Sequence, residues 1–189
     1  MVILIGGNSC TGKTNLSQNL LEKYKIPYLS IDHLKMGLYR SGMDYGFTPT
    51  DSNELIAEKL WPIIKGIIMT AIENNQNIII EGCYLMPDFI NDFEDSYVDN
   101  IISVFLGFSS DYITKNFESG ILKNRCIIEE RNYEEDRPVS QFIDEHEKFR
   151  NKCINYDVNY FEINSNYSEG IERVIDFIDS RFLGYHFMK

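Results

Sequence analysis

The most constraining feature of this sequence is a glycine-rich motif close to its first residue. Residues 7–14 read Gly-Asn-Ser-Cys-Thr-Gly-Lys-Thr, a full match to the pattern Gly-x4-Gly-Lys-Ser/Thr. An apolar run at 2–5 precedes the motif, and a segment of helical character at 15–22 follows it. In this context the glycines let the backbone curl with its N–H groups inward, so that the loop and the helix N-terminus bind phosphate. The motif therefore predicts a nucleoside-triphosphate site, with a chance glycine turn as the alternative.

We expect the residues of this motif to bind ATP together with Mg²⁺. Lys13 adds a positive charge for the β- and γ-phosphates, and Thr14 offers a hydroxyl oxygen of the kind that Mg²⁺ binds. The remaining residues expected to contact the phosphates are Gly7, Asn8, Ser9, Cys10, Thr11 and Gly12. ATP and Mg²⁺ are thus the predicted cofactors.

Composition limits the class of protein and its partners. The chain has 189 residues, 43% of them hydrophobic, which is enough for one domain with a core, and we treat 1–189 as that domain. The net charge of −11 argues against a nucleic-acid partner, because such proteins carry basic surfaces. No signal peptide is evident, and no apolar run approaches the ~18 residues of a membrane span. We therefore expect a cytoplasmic protein without membrane contact. The four cysteines stand far apart, which favours reduced thiols over a disulfide or a metal site.

Short apolar runs alternate with helical segments, a pattern typical of a parallel sheet with helices on both faces. The predicted strands are 2–6, 28–31, 77–81, 101–106 and 158–163. A long helix is predicted at 51–74, where Asp51 and Glu54 have the spacing of a capping box. Pro62 should kink that helix or split it in two. The fold class is α/β, with five parallel strands.

Two carboxylates follow predicted strands at the edge of the sheet where ligands bind. Asp32 ends the second strand, and three interpretations are open: a general base or substrate contact, a Mg²⁺ contact through water, or the N-cap of a helix starting near His33. Glu81 ends the third strand and is predicted to meet the Mg²⁺ hydration shell. Contact with the acceptor, or a plain surface position, are the alternatives for Glu81.

The polar segment 109–155 is predicted to form a helical lid. Of its four arginines we favour Arg131 and Arg137 as catalytic cations, because they flank an acidic segment and could stabilise the transferring phosphoryl group. The alternative is a solvated helix pair with surface ion pairs. His146 and His186 are expected at the surface.

Residues 33–75 are predicted to bind the acceptor. Arg40 could bind an anionic acceptor through two parallel hydrogen bonds, which makes it, with Asp32 and Glu81, a candidate substrate-binding residue.

These motifs together resemble the nucleoside-monophosphate-kinase-like group of P-loop kinases, which includes adenylate, shikimate and gluconate kinases, zeta-toxin-like kinases and 2-phosphoglycerate-kinase-like proteins. The resemblance implies the strand order 2-3-1-4-5 and a helical lid. It also implies that Asp32 meets the acceptor hydroxyl. The sequence Glu81-Gly82-Cys83-Tyr84 departs from the Asp-Gly-x-Pro-Arg pattern of adenylate kinases, which favours an alcohol or sugar-like acceptor.

The predicted function is transfer of the γ-phosphoryl group of ATP to a hydroxyl of a small molecule. One alternative is a nucleoside monophosphate kinase, whose acceptor already carries its charge. The other is a nucleotide-binding module or switch with no small-molecule acceptor.

Overall fold

A parallel sheet of five strands lies at the centre of the described part of the chain. The computed structural model describes residues 1–125, 127–128 and 136–187, with side chains to residue 182. The strands are β1 (Val2–Gly7), β2 (Tyr28–Ser30), β3 (Ile78–Glu81), β4 (Ile101–Phe108) and β5 (Tyr160–Ile163). Their order, β2-β3-β1-β4-β5, confirms the predicted α/β fold and the order 2-3-1-4-5.

The register of the sheet aligns the ends of the strands that carry the candidate site. Glu81 at the end of β3 lies opposite Ile5 of β1 and Ser30 of β2. Every residue of β1 is buried, as expected for the middle strand of a parallel sheet covered on both faces. The loop after β1, the start of the helix after β2, and Glu81 therefore meet at one edge.

Helices cover both faces of the sheet and give it two apolar cores. The helices are α1 (Lys13–Tyr24), α2 (Ile31–Arg40), α3 (Asn53–Glu73), α4 (Asp95–Val98), α5 (Ser110–Asn116), α6 (Val139–Asn155) and α7 (Tyr167–Phe187). A 3-10 helix (Pro87–Asp92) and a π-helical turn (Phe117–Leu122) complete the described elements. Among the described helices, none combines the length and apolarity that crossing a membrane requires.

Helix α3 differs from its prediction at two points. It runs through Pro62 as a single helix, so the predicted split is absent. Buried residues at a spacing of four, Ile56, Leu60, Ile64 and Ile68, continue on both sides of the proline. Packing of this face offsets the loss of one backbone hydrogen bond. The N-cap is Ser52, whose hydroxyl accepts from the Leu55 N–H at 3.3 Å, so the capping box on Asp51 is wrong.

Helix α2 begins two residues earlier than predicted, and this changes the position of Asp32. Ile31 is completely buried as the first residue of α2, and Ser30 holds the N-cap position. Asp32 lies within the first turn of the helix, so the N-cap interpretation is wrong.

Candidate active site

The glycine-rich loop joins the end of β1 to the start of α1. Two of its glycines have positive φ angles, 136° at Gly7 and 85° at Gly12, a backbone conformation that favours glycine. Cys10 also has a positive φ, of 65°. A Cβ on Gly12 would overlap the hydroxyl of Tyr167, so glycine is required there by space as well as by conformation. The loop thus has the curled geometry that the motif predicts, and it leads directly into the N-terminus of α1.

Lys13 lies across the mouth of this loop. Its ammonium group donates a hydrogen bond to the carbonyl oxygen of Asn8 at 2.6 Å, and the Thr11 hydroxyl donates to the same carbonyl at 2.9 Å. Lys13 is buried, so its charge is poorly screened by solvent. The positive charge therefore lies within the loop, as phosphate binding requires.

The side-chain oxygen atoms of Thr14 and Glu81 lie close together at the edge of the sheet. The Thr14 hydroxyl donates to Glu81 Oε1 at 3.2 Å, and Glu81 is only 2% exposed, which excludes the surface interpretation of this residue. A hydroxyl and a carboxylate that converge are the ligand types that Mg²⁺ prefers, so these two residues fit the predicted ion. Within the described residues no group of three or more His, Cys, Asp or Glu could hold a metal. Further ligands would have to come from phosphate and water, as is usual for Mg²⁺.

A cavity of about 300 Å³ extends from the loop to the start of α2. It brings together Lys13, Thr14, Asp32 and Glu81, four of the predicted site residues. Cys83 also lines it, and burial raises the pKa of its thiol, which stays protonated at neutral pH. The cavity therefore brings two carboxylates to the phosphate-binding loop.

Asp32 is held by a neighbour on its own helix. Lys35 Nζ donates to Asp32 Oδ1 at 2.9 Å and to the Tyr84 hydroxyl at 2.7 Å. Burial lowers the pKa of Lys35, but its hydrogen bond to Tyr84 and the charge of Asp32 outweigh burial, and the net shift is upward. Burial raises the pKa of Tyr84 to about 12. At neutral pH the group thus consists of a neutral phenol, an ammonium and a carboxylate.

Of the predicted arginines, the two that the structure describes, Arg40 and Arg137, do not line the cavity. Arg40 is exposed at the last turn of α2 and does not line it. Arg137 pairs with Glu145 at 2.6 Å and packs over the ring of Phe142 at 5.1 Å. Arg131 lies outside the described residues. Among the arginines that the structure describes, Arg125, just after the π-helical turn, lines the cavity. No sequence signal distinguished it from the other arginines.

His146 is buried, so its predicted surface position is wrong. It is 2% exposed on α6, and its Nδ1 accepts the N–H of Phe108 at 3.0 Å. Its ring also packs against Phe142. Burial, with smaller contributions from the charges of Lys13 and Arg137, lowers the pKa of His146 to about 3. The side chain of His186 lies outside the described residues.

Sequence reasoning missed two members of an aromatic wall of the cavity, Phe108 and Tyr112. Their rings stack with centroids 4.9 Å apart, and Tyr167 packs against Phe108 at 6.5 Å. All three line the cavity. Tyr167 lies just after β5, so its position relative to the fifth strand was the available signal.

A parallel sheet in the order 2-3-1-4-5, with a Gly-x4-Gly-Lys-Thr loop between its central strand and α1, defines the P-loop kinase fold. The chain belongs to the Zeta toxin family, whose model matches residues 1–100. These residues include the loop, Asp32 and Glu81. No protein of curated function matches the sequence.

Solved structures of kinases share this fold. Shikimate kinase from Aquifex aeolicus is 16% identical with a TM-score of 0.57, and the match covers 97% of this chain and 99% of that one. A sugar kinase from Janibacter is 13% identical, with a TM-score of 0.55 and 94% of each chain covered. Shikimate kinase from Acinetobacter baumannii, in complex with shikimate, is 15% identical, with a TM-score of 0.53 and coverage of 95% and 93%. At these identities the similarity shows the fold alone.

Proposed function

We propose that this protein is an ATP-dependent phosphotransferase that moves the γ-phosphoryl group to a hydroxyl of a small molecule. One observation carries the proposal: a single cavity is lined by Lys13 of the loop, by the hydrogen-bonded pair Thr14 and Glu81, and by a second carboxylate, Asp32. A nucleotide-binding module needs the loop, but it has no need of a second carboxylate in the same cavity. The structurally similar shikimate and sugar kinases support an acceptor of this class.

The donor half of the site consists of the loop, Lys13 and Thr14. Backbone N–H groups of the loop and the N-terminus of α1 would bind the phosphates. Lys13 would exchange the Asn8 carbonyl for phosphate oxygens and neutralise the charge that develops during transfer. Thr14 and Glu81 would hold Mg²⁺, which would supply positive charge to the phosphate groups.

The acceptor half of the site would centre on Asp32, whereas the predicted acceptor-binding residues 33–75 do not line the cavity. The Asp32 side chain is 29% exposed and lines the cavity, so a bound hydroxyl can reach it. Its carboxylate would accept the hydroxyl proton as the oxygen attacks phosphorus. Arg125 is the described arginine best placed to stabilise the transferring group, because Arg137 is paired with Glu145 away from the cavity.

The test measures ADP release from ATP and Mg²⁺ against a panel of sugars, polyols, hydroxy acids and nucleoside monophosphates. Asp32→Asn should lower kcat with the best hydroxyl acceptor by about 100-fold or more, the usual contribution of a positioned base, and should leave ATP binding unchanged. Lys13→Ala should lose ATP binding as well. Asp111→Asn is the matched control, because it makes the same change at a side chain that is 87% exposed.

Two results would overturn the proposal. Turnover of a nucleoside monophosphate at the parental rate by Asp32→Asn would identify a nucleotide kinase instead. Tight ATP binding with no acceptor-dependent turnover across the panel would identify a nucleotide-binding module.

A further inference from the structure

We propose that Lys35 is a positioning residue, which with Tyr84 fixes the Asp32 carboxylate toward the acceptor hydroxyl and keeps it ionised beside Glu81. The inference rests on the proposed function, because it assigns a role to Asp32 in transfer. Lys35 acts through Asp32: among the described residues that line the cavity, Asp32 is present and Lys35 is not.

The first support is the geometry of the hydrogen bonds. Lys35 follows Asp32 by three residues, so both side chains lie on one face of α2. The ammonium group joins Asp32 Oδ1 at 2.9 Å to the Tyr84 hydroxyl at 2.7 Å, and it also lies 5.0 Å from the centroid of the Tyr84 ring. Tyr84 is itself buried in one of the two apolar cores. The carboxylate is thus tied, through one lysine, to a residue that packing holds in place.

The second support is the contact between α2 and the segment that follows β3. No side chain separates the two at Gly82, where a Cβ would lie 2.9 Å from the Cβ of Ile31. Two residues further on, Tyr84 receives the hydrogen bond from Lys35. These two contacts fasten the first turn of α2 to the strand that carries Glu81. The separation of Asp32 from the Thr14–Glu81 pair is therefore set by them.

The third support is the balance of charge around Asp32. Asp32, Glu81 and Lys13 line the same cavity, and Lys35 donates a hydrogen bond to Asp32. Two carboxylates in one cavity oppose each other's ionisation, and loss of the Asp32 charge would remove the base. The Lys35 ammonium opposes this loss, because its pKa is raised and it stays charged. Cys83 lines the cavity and Tyr84 contacts Lys35, and both are neutral at neutral pH because burial raises the pKa of each.

A purely stabilising role does not account for this lysine. Lys35 is 8% exposed, and the cost of removing a buried ion pair from water generally offsets most of its Coulomb attraction. Apolar side chains in place of the whole group would cost little stability, whereas removal of Lys35 alone leaves Asp32 and the Tyr84 hydroxyl without this hydrogen bond. The positive charge of Lys35 is better explained by its effect on the position and ionisation of the Asp32 carboxylate.

The experiment compares Lys35→Met, Lys35→Arg and Asp32→Asn with the parent, using the best hydroxyl acceptor from the panel. Lys35→Met should lower kcat by about 10- to 100-fold, the effect of a misplaced catalytic group, with little change in acceptor KM. The acid limb of its kcat profile should move to higher pH. Lys35→Arg should restore part of the rate and return the acid limb toward its parental position. Lys115→Met is the matched control, since it removes a lysine from an exposed pair with Asp111.

A second measurement needs no turnover. Carbon NMR of the Asp32 carboxyl, assigned by its absence in Asp32→Asn, should show a titration midpoint at higher pH in Lys35→Met than in the parent. If Lys35→Met fails to fold, Tyr84→Phe replaces it, because this change removes only the hydroxyl to which Lys35 donates. The acid limb and the carboxyl midpoint should then move in the same direction as expected for Lys35→Met, but by a smaller amount.

The outcomes separate the two proposals. If Asp32→Asn abolishes transfer while Lys35→Met keeps the parental kcat, acid limb and carboxyl midpoint, the role of Lys35 is wrong and the proposed function stands. If Asp32→Asn transfers at the parental rate, the assignment of Asp32 in the proposed function is wrong, and the positioning role is overturned with it.

Discussion

The hydroxyl of Thr14 donates a hydrogen bond to Oε1 of Glu81 at 3.2 Å, although 67 residues separate them in the sequence. Thr14 belongs to the first turn of α1, directly after the glycine-rich loop, and Glu81 is the last residue of β3, which pairs with β1. The pairing of these two strands thus brings a hydroxyl and a carboxylate together beside the phosphate-binding loop.

We predict that Glu81→Gln weakens the dependence on Mg²⁺ without unfolding the protein. The amide keeps the shape of the side chain but loses the charge that attracts the ion. The Mg²⁺ concentration for half-maximal activity should rise by about tenfold or more, the range seen when a supporting carboxylate of a metal site is lost. Titration of ADP release with Mg²⁺ measures this.

The control for this change is Glu58→Gln, which removes a charge from an exposed pair with Lys59 and should leave the Mg²⁺ titration unaltered. An unchanged Mg²⁺ titration in Glu81→Gln would show that the carboxylate has no part in holding the ion.

Much of the candidate site could be predicted from the sequence because its residues lie at the ends of strands. The apolar runs before Gly7 and Glu81 mark the strands, and parallel strands end at one edge of a sheet. Local pattern therefore sufficed to bring Asp32 and Glu81 to the loop. The predictions that were wrong concern residues whose positions depend on contacts distant in the sequence. His146 is buried because α6 packs on β4, where its ring accepts the Phe108 N–H from 38 residues away.

For Arg137 the sequence offered a second partner close by. Its position beside an acidic segment favoured a catalytic role, yet it pairs with Glu145, two turns further along the chain. Arg125 reaches the cavity because the chain turns there after α5 through a π-helical segment. π-Helical turns have no dependable signature in a single sequence, but they often occur at functional sites.

We predict that Arg125 and Arg137 differ in what their removal changes. Arg125→Ala should lower kcat by about 100-fold or more, since it removes a cation from the cavity where charge develops, and Arg125→Lys should be intermediate. Arg137→Ala should instead lower the free energy of unfolding by about 1 kcal/mol, through loss of the Glu145 pair and of packing on Phe142.

Both variants are assayed for ADP release and for urea unfolding. The reverse pattern, in which Arg137→Ala abolishes transfer and Arg125→Ala is fully active, would restore Arg137 as the catalytic cation.

We predict opposite effects of the same substitution at two glycines. Gly12→Ala places a Cβ at φ 85° and against the Tyr167 hydroxyl, so it should destabilise the fold by about 2 kcal/mol or more and abolish ATP binding. Gly37→Ala changes an exposed position in the middle of α2, where no atom lies within 4 Å of the new Cβ. It should stabilise the fold by about 0.5–1 kcal/mol.

Urea unfolding gives both free energies, and a fluorescent ATP analogue reports binding. Parental stability and parental ATP affinity in Gly12→Ala would contradict the loop geometry, because neither strain nor overlap would then exist.

Finally, we predict that His146 makes the fold sensitive to mild acid. The neutral ring accepts the Phe108 N–H through Nδ1, so protonation at that nitrogen breaks the bond and buries a charge. The folded pKa of about 3 lies below the ordinary 6.5, so between these values the unfolded chain binds the extra proton. Stability is therefore complete above about pH 6.5 and falls as the pH drops through this window.

The loss from this one group should reach about 2 kcal/mol between about pH 7 and about pH 5, at ~1.4 kcal/mol for each pH unit. His146→Asn keeps an acceptor for the Phe108 N–H but cannot titrate. It should be less stable than the parent at neutral pH, because it loses the ring contacts with Phe108 and Phe142, yet lose less stability on acidification. Urea unfolding at the two pH values tests this, with exposed His33→Asn as the control that should follow the parent. An equal acid loss in His146→Asn and the parent would mean that His146 is not the group responsible.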